Sequence, residues 1–299
     1  MSAIRSTPER ILQRLDWQVI RRLDGLLQGD YRSLLRGFGV DFADLREYQA
    51  DDDIRYIDWN VTARLATPYV RQYIEDREIT AWFLLDLSPS VDFGTGGVAK
   101  RTMLIDFVAT IARLLTRHGN RVGAIFYCDG IQAMLPARGG RMQVLQIVNE
   151  LLKQPRPQKA AFTDLSPLLR GALNAIKRRS LIFIISDFIS SPGWDRPLSL
   201  LNLRHEMVAV FLRDPRELEL PDVGPIFMQD SETGEQLYVD THDKVLRQRF
   251  HESAVERERQ LADTLHHAGV DPMLLSTDED LVAAIIRFAA VREHRRRLS

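Results

Sequence analysis

From residue 80 onward, short apolar runs alternate with stretches of helical periodicity. Ala81 to Leu85, Val122 to Phe126, Leu181 to Ile185 and Met207 to Leu212 are such runs. They have the character of strands buried on both faces of a parallel sheet. Between the first two, Leu104, Phe107, Val108, Ile111 and Leu115 recur at three- and four-residue intervals, and Met142 to Leu152 and Leu165 to Ile176 also read as helices. Met273 to Leu275 predicts a last strand, and Asp278 to Val291 a last helix with Ser276 or Thr277 as its cap. The alternation predicts an α/β fold, a doubly wound and mostly parallel sheet.

The flanks follow other patterns. Ile11, Leu12, Leu15, Val19, Ile20, Leu23, Leu26 and Leu27 place one apolar face on a helix over residues 8–28. Residues 29–79 are irregular, with Gly37, Gly39, the acidic run Asp51 to Asp53 and a possible strand around Tyr69 to Ile74. Residues 1–79 are therefore expected to form an N-terminal helix and flanking segment, and residues 80–299 the α/β domain. Polar and apolar residues alternate from Ile226 to Val239 around Glu232, Thr233 and Gly234, which predicts a hairpin excursion near 226–239. A long charged helix follows to Ala268.

Composition removes some classes of function. Forty Lys and Arg offset forty-one Asp and Glu. No overall field therefore draws nucleic acid or an anionic membrane, and binding is expected at a local site. The single cysteine, Cys128, permits no internal disulfide and no zinc spacing, which suits a reducing cytoplasm. No run approaches the ~18 apolar residues of a membrane span, and the amino terminus lacks the apolar core of a signal peptide. A cytoplasmic location is expected.

The candidate chemistry lies where two predicted strands end. Asp86, Ser88 and Ser90 follow the first buried run, and Asp187 follows the run Leu181 to Ser186. Ligands of open α/β sheets bind beyond the carboxyl ends of the strands, where strand order reverses. With strand order 3-2-1-4-5-6 the first and fourth strands are neighbours, which sets Asp86 beside Asp187. Three oxygen-bearing side chains at alternate positions can curl around one point. A hard ion such as magnesium, or manganese in its place, takes oxygen ligands of this kind. Thr163, in the loop before the intervening helix, would close the ring.

The series Asp86, Ser88, Ser90, Thr163, Asp187 resembles the metal-ion-dependent adhesion site of von Willebrand factor A domains. Upstream, Phe42, Leu45, Arg46, Tyr48, Asp52, Asp53, Arg55, Ile57, Asp58, Trp59, Ala63 and Arg64 resemble the signature of the domain-of-unknown-function-58 family, over roughly residues 35–215 in all. Ala50 and Val91 depart from that family's usual Gly and Met, and neither is a proposed ligand. The resemblance implies a von Willebrand A-like fold and a non-enzymatic interaction module. In such a module a partner's acidic residue completes the metal's coordination, and a MoxR-type AAA+ ATPase is the associated partner.

Other readings stand beside this one. Asp86 could be a nucleophile in a metal-dependent hydrolase or phosphotransferase, although Ser88 stands where such enzymes place an acid. The chain could also be a scaffold that makes its contacts through the flanking segment. Asp86 alone could cap a turn, Asp164 competes with Thr163 as helix cap, and Asp92 reads as turn or cap chemistry. Arg46, Arg55 and Arg64 against Asp52, Asp53 and Asp58 suggest an ion-pair network pinning the flank, with Trp59 in the core. Gly94, Gly96, Gly97 and Ala99 loosely match a dinucleotide fingerprint and Lys100 a phosphate-binding loop. The spacing fits neither, and the segment reads as a flexible loop. His266, His267 and the tail Arg295 to Arg297 read as solvated.

Overall fold

The computed structural model describes residues 7–26, 45–49, 52, 54, 57, 59–65, 67–71, 79–95, 97–155, 163–230 and 233–298. The chain opens with helix α1 (Pro8–Leu15), a π-helical turn (Asp16–Ile20) and α2 (Arg21–Leu26). Thr7 caps α1 by accepting a hydrogen bond from Arg10 N at 3.4 Å, and Pro8 fits the first turn, where no N–H is needed. Ile11, Leu12, Leu15, Val19, Ile20 and Leu23 are buried and join the main core, so the apolar stripe of the sequence is the docked face.

In the flank, strands β1 (Leu45–Glu47) and β2 (Tyr69–Arg71) pair antiparallel around α3 (Trp59–Leu65). Trp59 is 69% exposed, which corrects the expectation that it lies in the core. Of the expected ion-pair network, Asp53, Arg55 and Asp58 and the side chains of Arg46 and Arg64 lie outside the described residues, as do Phe42 and Ala50. Asp52 accepts a hydrogen bond from Gln49 N at 2.8 Å.

The main domain runs β3 (Thr80–Asp86), α4 (Lys100–Arg117), β4 (Arg121–Tyr127), β5 (Ile131–Arg138), α5 (Arg141–Lys153), α6 (Ser166–Ala175), β6 (Leu181–Ser186), α7 (Asp195–Asn202), β7 (Glu206–Arg213), the hairpin β8 (Pro225–Gln229) and β9 (Gln236–Asp240), α8 (Lys244–His267), β10 (Asp271–Ser276) and α9 (Leu281–Leu298). Six strands form one sheet in the order β5-β4-β3-β6-β7-β10, all parallel except β5. Counted within the sheet this is the order 3-2-1-4-5-6, the arrangement expected for a doubly wound fold. The hairpin β8–β9 is a separate two-stranded sheet.

The alternation along each strand divides the core in two. Phe83, Leu85, Phe183 and Ile185 face α4, α5, α9 and the amino-terminal helices, with Phe83 and Phe183 stacked at 5.4 Å. Trp82, Leu84, Ile182 and Ile184 face α6, α7 and the end of α8. Truncating any one of these buried aromatic rings would cost about 3–5 kcal/mol. Helix α9 begins later than expected, with Asp280 rather than Ser276 or Thr277 accepting from Ala283 N at 3.1 Å. Thr277 instead donates to Asp214 at 2.8 Å. Among the described residues no helix is long and apolar enough to cross a membrane.

Candidate metal centre

Strands β3 and β6 are parallel neighbours, with Leu85 opposite Ile185, so they end together and deliver Asp86 and Asp187 to one point on the sheet edge. Both aspartates are buried, at 0% and 3% exposure. Asp86 Oδ1 accepts from Ser88 N at 3.0 Å, and Asp86 Oδ2 accepts from Ser186 Oγ at 2.6 Å. Beyond Asp86 the chain enters a short 3-10 turn, Pro89–Asp92, with Pro89 in its first position. That turn curls Ser88 and Ser90 to one side, where their hydroxyl oxygens lie 3.1 Å apart and are buried. Thr163 is 4% exposed, and its carbonyl accepts from Ser191 N at 2.8 Å, which ties its loop to the loop that Asp187 begins. Asp164 accepts from Ser166 N at 2.8 Å just before the following helix.

The turn after Asp187 is strained. Phe188 has φ of 54° and is the only described non-glycine residue with positive φ, a conformation that costs on the order of 1–3 kcal/mol. It is held because Phe188 packs against Trp194 and Phe211, with ring centroids at 5.5 and 6.5 Å. Its amide donates to Ser186 Oγ at 2.8 Å, while Ile189 N donates to Asp187 Oδ1 at 3.2 Å. These two amide hydrogen bonds orient both polar groups at the end of β6.

Electrostatically Asp86 has no cation of its own among the described residues. Burial, and then the charge of Asp187, push the Asp86 carboxyl up to about 7, against the opposing pull of its bonds to Ser186 and Ser88. Two buried carboxylates with hydroxyls beside them suit a hard divalent ion, which would supply positive charge and take oxygen ligands. Among the described residues no three His, Cys, Asp or Glu converge. A metal here would therefore depend on hydroxyl oxygens as much as on carboxylates.

Sequence reasoning missed a neighbouring set of residues. Lys100 is 0% exposed, and its Nζ donates to Asp187 Oδ2 at 2.7 Å and to Glu217 Oε1 at 2.6 Å. Burial alone would depress its pKa, but the charges of Asp187 and Glu217 outweigh burial and raise it. Glu217 Oε2 in turn accepts from Asp214 N at 3.0 Å in a capping box. Asp214 also receives Thr95 N, Thr95 Oγ1, Arg216 N and Thr277 Oγ1, at 2.7 to 3.1 Å.

The segment after Ser90 is accordingly anchored, which corrects its reading as a flexible loop. Thr95 is fixed to Asp214, and Lys100 N donates to Phe93 O at 2.9 Å. A Cβ on Gly94 would fall 2.4 Å from Ala99 Cα, so the close approach of the loop to itself demands glycine there. Gly96 lies outside the described residues. Asp92 pairs with Arg101 at 3.2 Å, and His266 and His267 are exposed at the end of α8. One signal pointed to Lys100: it stands four residues before Leu104 on the same buried helix face.

A cavity of about 390 Å³ opens beside the centre, between the β6 and β7 ends and α8. Asp187, Phe188, Trp194, Phe211, Glu217 and Leu261 are among its walls.

A family model described as "Protein of unknown function DUF58" matches residues 44–260. An uncharacterized protein of Mycobacterium tuberculosis, Rv1480, is 37% identical over 281 residues, covering 94% of this chain and 88% of that one. An uncharacterized protein of Mycobacterium avium is 35% identical over 158 residues, covering 53% of this chain and 93% of its own. Among solved structures, the conserved hypothetical protein BatB from Bacteroides thetaiotaomicron aligns with a TM-score of 0.46 at 12% identity, covering 72% of this chain and 99% of that one. The pilus adhesin SpaC from Lactobacillus rhamnosus GG aligns at 0.43 and 12%, covering 74% and 30%.

Proposed function

The chain belongs to the DUF58 family, and from that premise we propose that it is a magnesium-dependent protein-binding module of von Willebrand A type, with Asp86, Ser88, Ser90, Thr163 and Asp187 as the metal-holding residues. The observation that carries this reading is the pair of buried aspartates at adjacent strand ends, with Asp86 raised by burial and by its neighbour. Lys100 offsets the charge of Asp187, which leaves Asp86 as the carboxylate whose ionised form a metal would stabilise. The serine hydroxyls are neutral oxygen donors, so the protein brings two negative charges to a doubly charged ion.

A magnesium ion held there would offer a remaining coordination position to a carboxylate of the partner. The chain's own residues do the rest. Asp86 and Asp187 supply charge, the 3-10 turn aims the hydroxyls, and the amides of Phe188 and Ile189 hold Ser186 and Asp187. A MoxR-type AAA+ ATPase is the partner this reading names, in assembly or chaperone-like work; that choice derives from the family resemblance.

The test is capture of the cognate MoxR-type ATPase by the immobilised chain in magnesium, in EDTA, and with Asp86→Ala. Binding in magnesium that is lost in both other arms is the expected result. Capture that survives EDTA and Asp86→Ala would contradict the metal's role and favour the scaffold reading. Turnover of a phosphate ester abolished by Asp86→Asn would favour the hydrolase.

A further inference from the structure

Lys100 is not a ligand in the function proposed above, yet it is the most completely buried cation at the centre. Both carboxylates it meets are held on their other oxygen by a backbone amide: Asp187 Oδ1 by Ile189 N and Glu217 Oε2 by Asp214 N. Neither can swing away from the ammonium without giving up a bond. An ion that draws on Asp187 therefore shares its acceptor with a fixed positive charge, in surroundings where water screens little.

We infer that Lys100 is a resident counter-cation that opposes divalent-ion binding at Asp187, and that Glu217 tunes this opposition by drawing the ammonium toward itself. The inference rests on the magnesium reading and adds its regulation. Glu217 is carried on the turn Pro215–Glu217, is not one of the five proposed ligands, and forms part of the cavity wall. Through Asp214 the same turn holds the Thr95 loop and Thr277 after β10. A group that enters the cavity and pairs with Glu217, as a partner's basic side chain would, takes the carboxylate from Lys100. The ammonium then bears on Asp187 alone and metal affinity falls. By linkage, magnesium weakens the binding of that basic group by the same factor.

A purely structural Lys100 makes a different prediction. It would pin α4 to the β6 loop, its loss would lower stability, and metal affinity would not rise. The two roles separate in a calorimetric titration of magnesium chloride into the full chain as wild type, Lys100→Met, Glu217→Gln and the double variant, each first checked by a cooperative unfolding curve.

Removal of one positive charge beside Asp187 is expected to tighten magnesium binding by at least about tenfold in Lys100→Met. Glu217→Gln is expected to weaken it by about threefold or more, because the ammonium then has one carboxylate instead of two. The double variant should bind at least as tightly as wild type. Should Lys100→Met fail to fold with two carboxylates left unpaired, the double variant and the sign of the Glu217→Gln effect decide.

Binding by Lys100→Met with none by wild type supports the inference in its strongest form. Equal or weaker binding by a folded Lys100→Met, or tighter binding by Glu217→Gln, overturns it and leaves the metal centre standing. Absence of binding in every folded variant overturns the metal reading, and the inference with it.

Discussion

Asp86 and Asp214 are both fully buried aspartates at the carboxyl edge of one sheet, and their surroundings drive them in opposite directions. Asp214 receives four hydrogen bonds from Thr95, Arg216 and Thr277, which outweigh burial and hold its pKa below the ordinary carboxylate value. Asp86 is bonded by Ser186 and Ser88, faces Asp187, and is held above that value. Both are shut off from solvent, but Asp86 lies deeper among protein atoms, so burial raises it more, and it also faces the charge of Asp187. Asp214 is a complete structural joint, whereas Asp86 carries the cation in the proposed reading.

The largest expected effect is at the joint. Asp214→Ala removes the acceptor for four donors while leaving the backbone amide that Glu217 accepts from, and it should destabilise the fold by about 3 kcal/mol or more. Denaturant unfolding measures this, and a change under about 1 kcal/mol would dissolve the contrast with Asp86.

The next effect is one of pH. The raised pKa of Asp86 means that the folded chain binds a proton more readily than the unfolded chain. The associated stability is fully present below the ordinary carboxylate value of 3.8 and is lost as pH climbs toward about 7. Without added metal, stability should fall by on the order of 2 kcal/mol from pH 5 to pH 8 through this group. Saturating magnesium should restore about as much at pH 8. The same slope in Asp86→Asn would assign it to other groups.

Asp86→Asn itself should change stability at neutral pH by less than about 1 kcal/mol, or raise it, because it removes the repulsion from Asp187. It should also abolish magnesium-induced stabilisation. A loss as large as that of Asp214→Ala would make Asp86 a second joint. The smallest effect is at Trp59, where exposure predicts that Trp59→Ala lies within about 0.5 kcal/mol of wild type.

Much of this comparison was legible along the chain. The unbroken apolar runs fixed β3, β4, β6 and β7, and a polar cluster at two strand ends pointed to Asp86, Ser88, Ser90 and Asp187. Strand β5 was not legible, because Ile131–Arg138 is half exposed along its length and pairs antiparallel at the sheet edge. Lys100, Glu217 and Asp214 escaped for another reason. Their bonds join residues 87 to 119 positions apart, and only the closed sheet brings those loops together. Trp59 misled because an aromatic in a mixed segment signals burial only when a periodic apolar face accompanies it.

The central claim is that Asp86, Ser88, Ser90, Thr163 and Asp187 together hold a divalent ion. An anomalous difference map from crystals grown with manganese tests it most directly. The account predicts a strong peak with the Ser88 and Ser90 hydroxyl oxygens about 2.1 to 2.3 Å away, and no such peak in Asp86→Ala. A map without a peak between the β3 and β6 ends, from crystals in which those loops are ordered and uncovered, would contradict it.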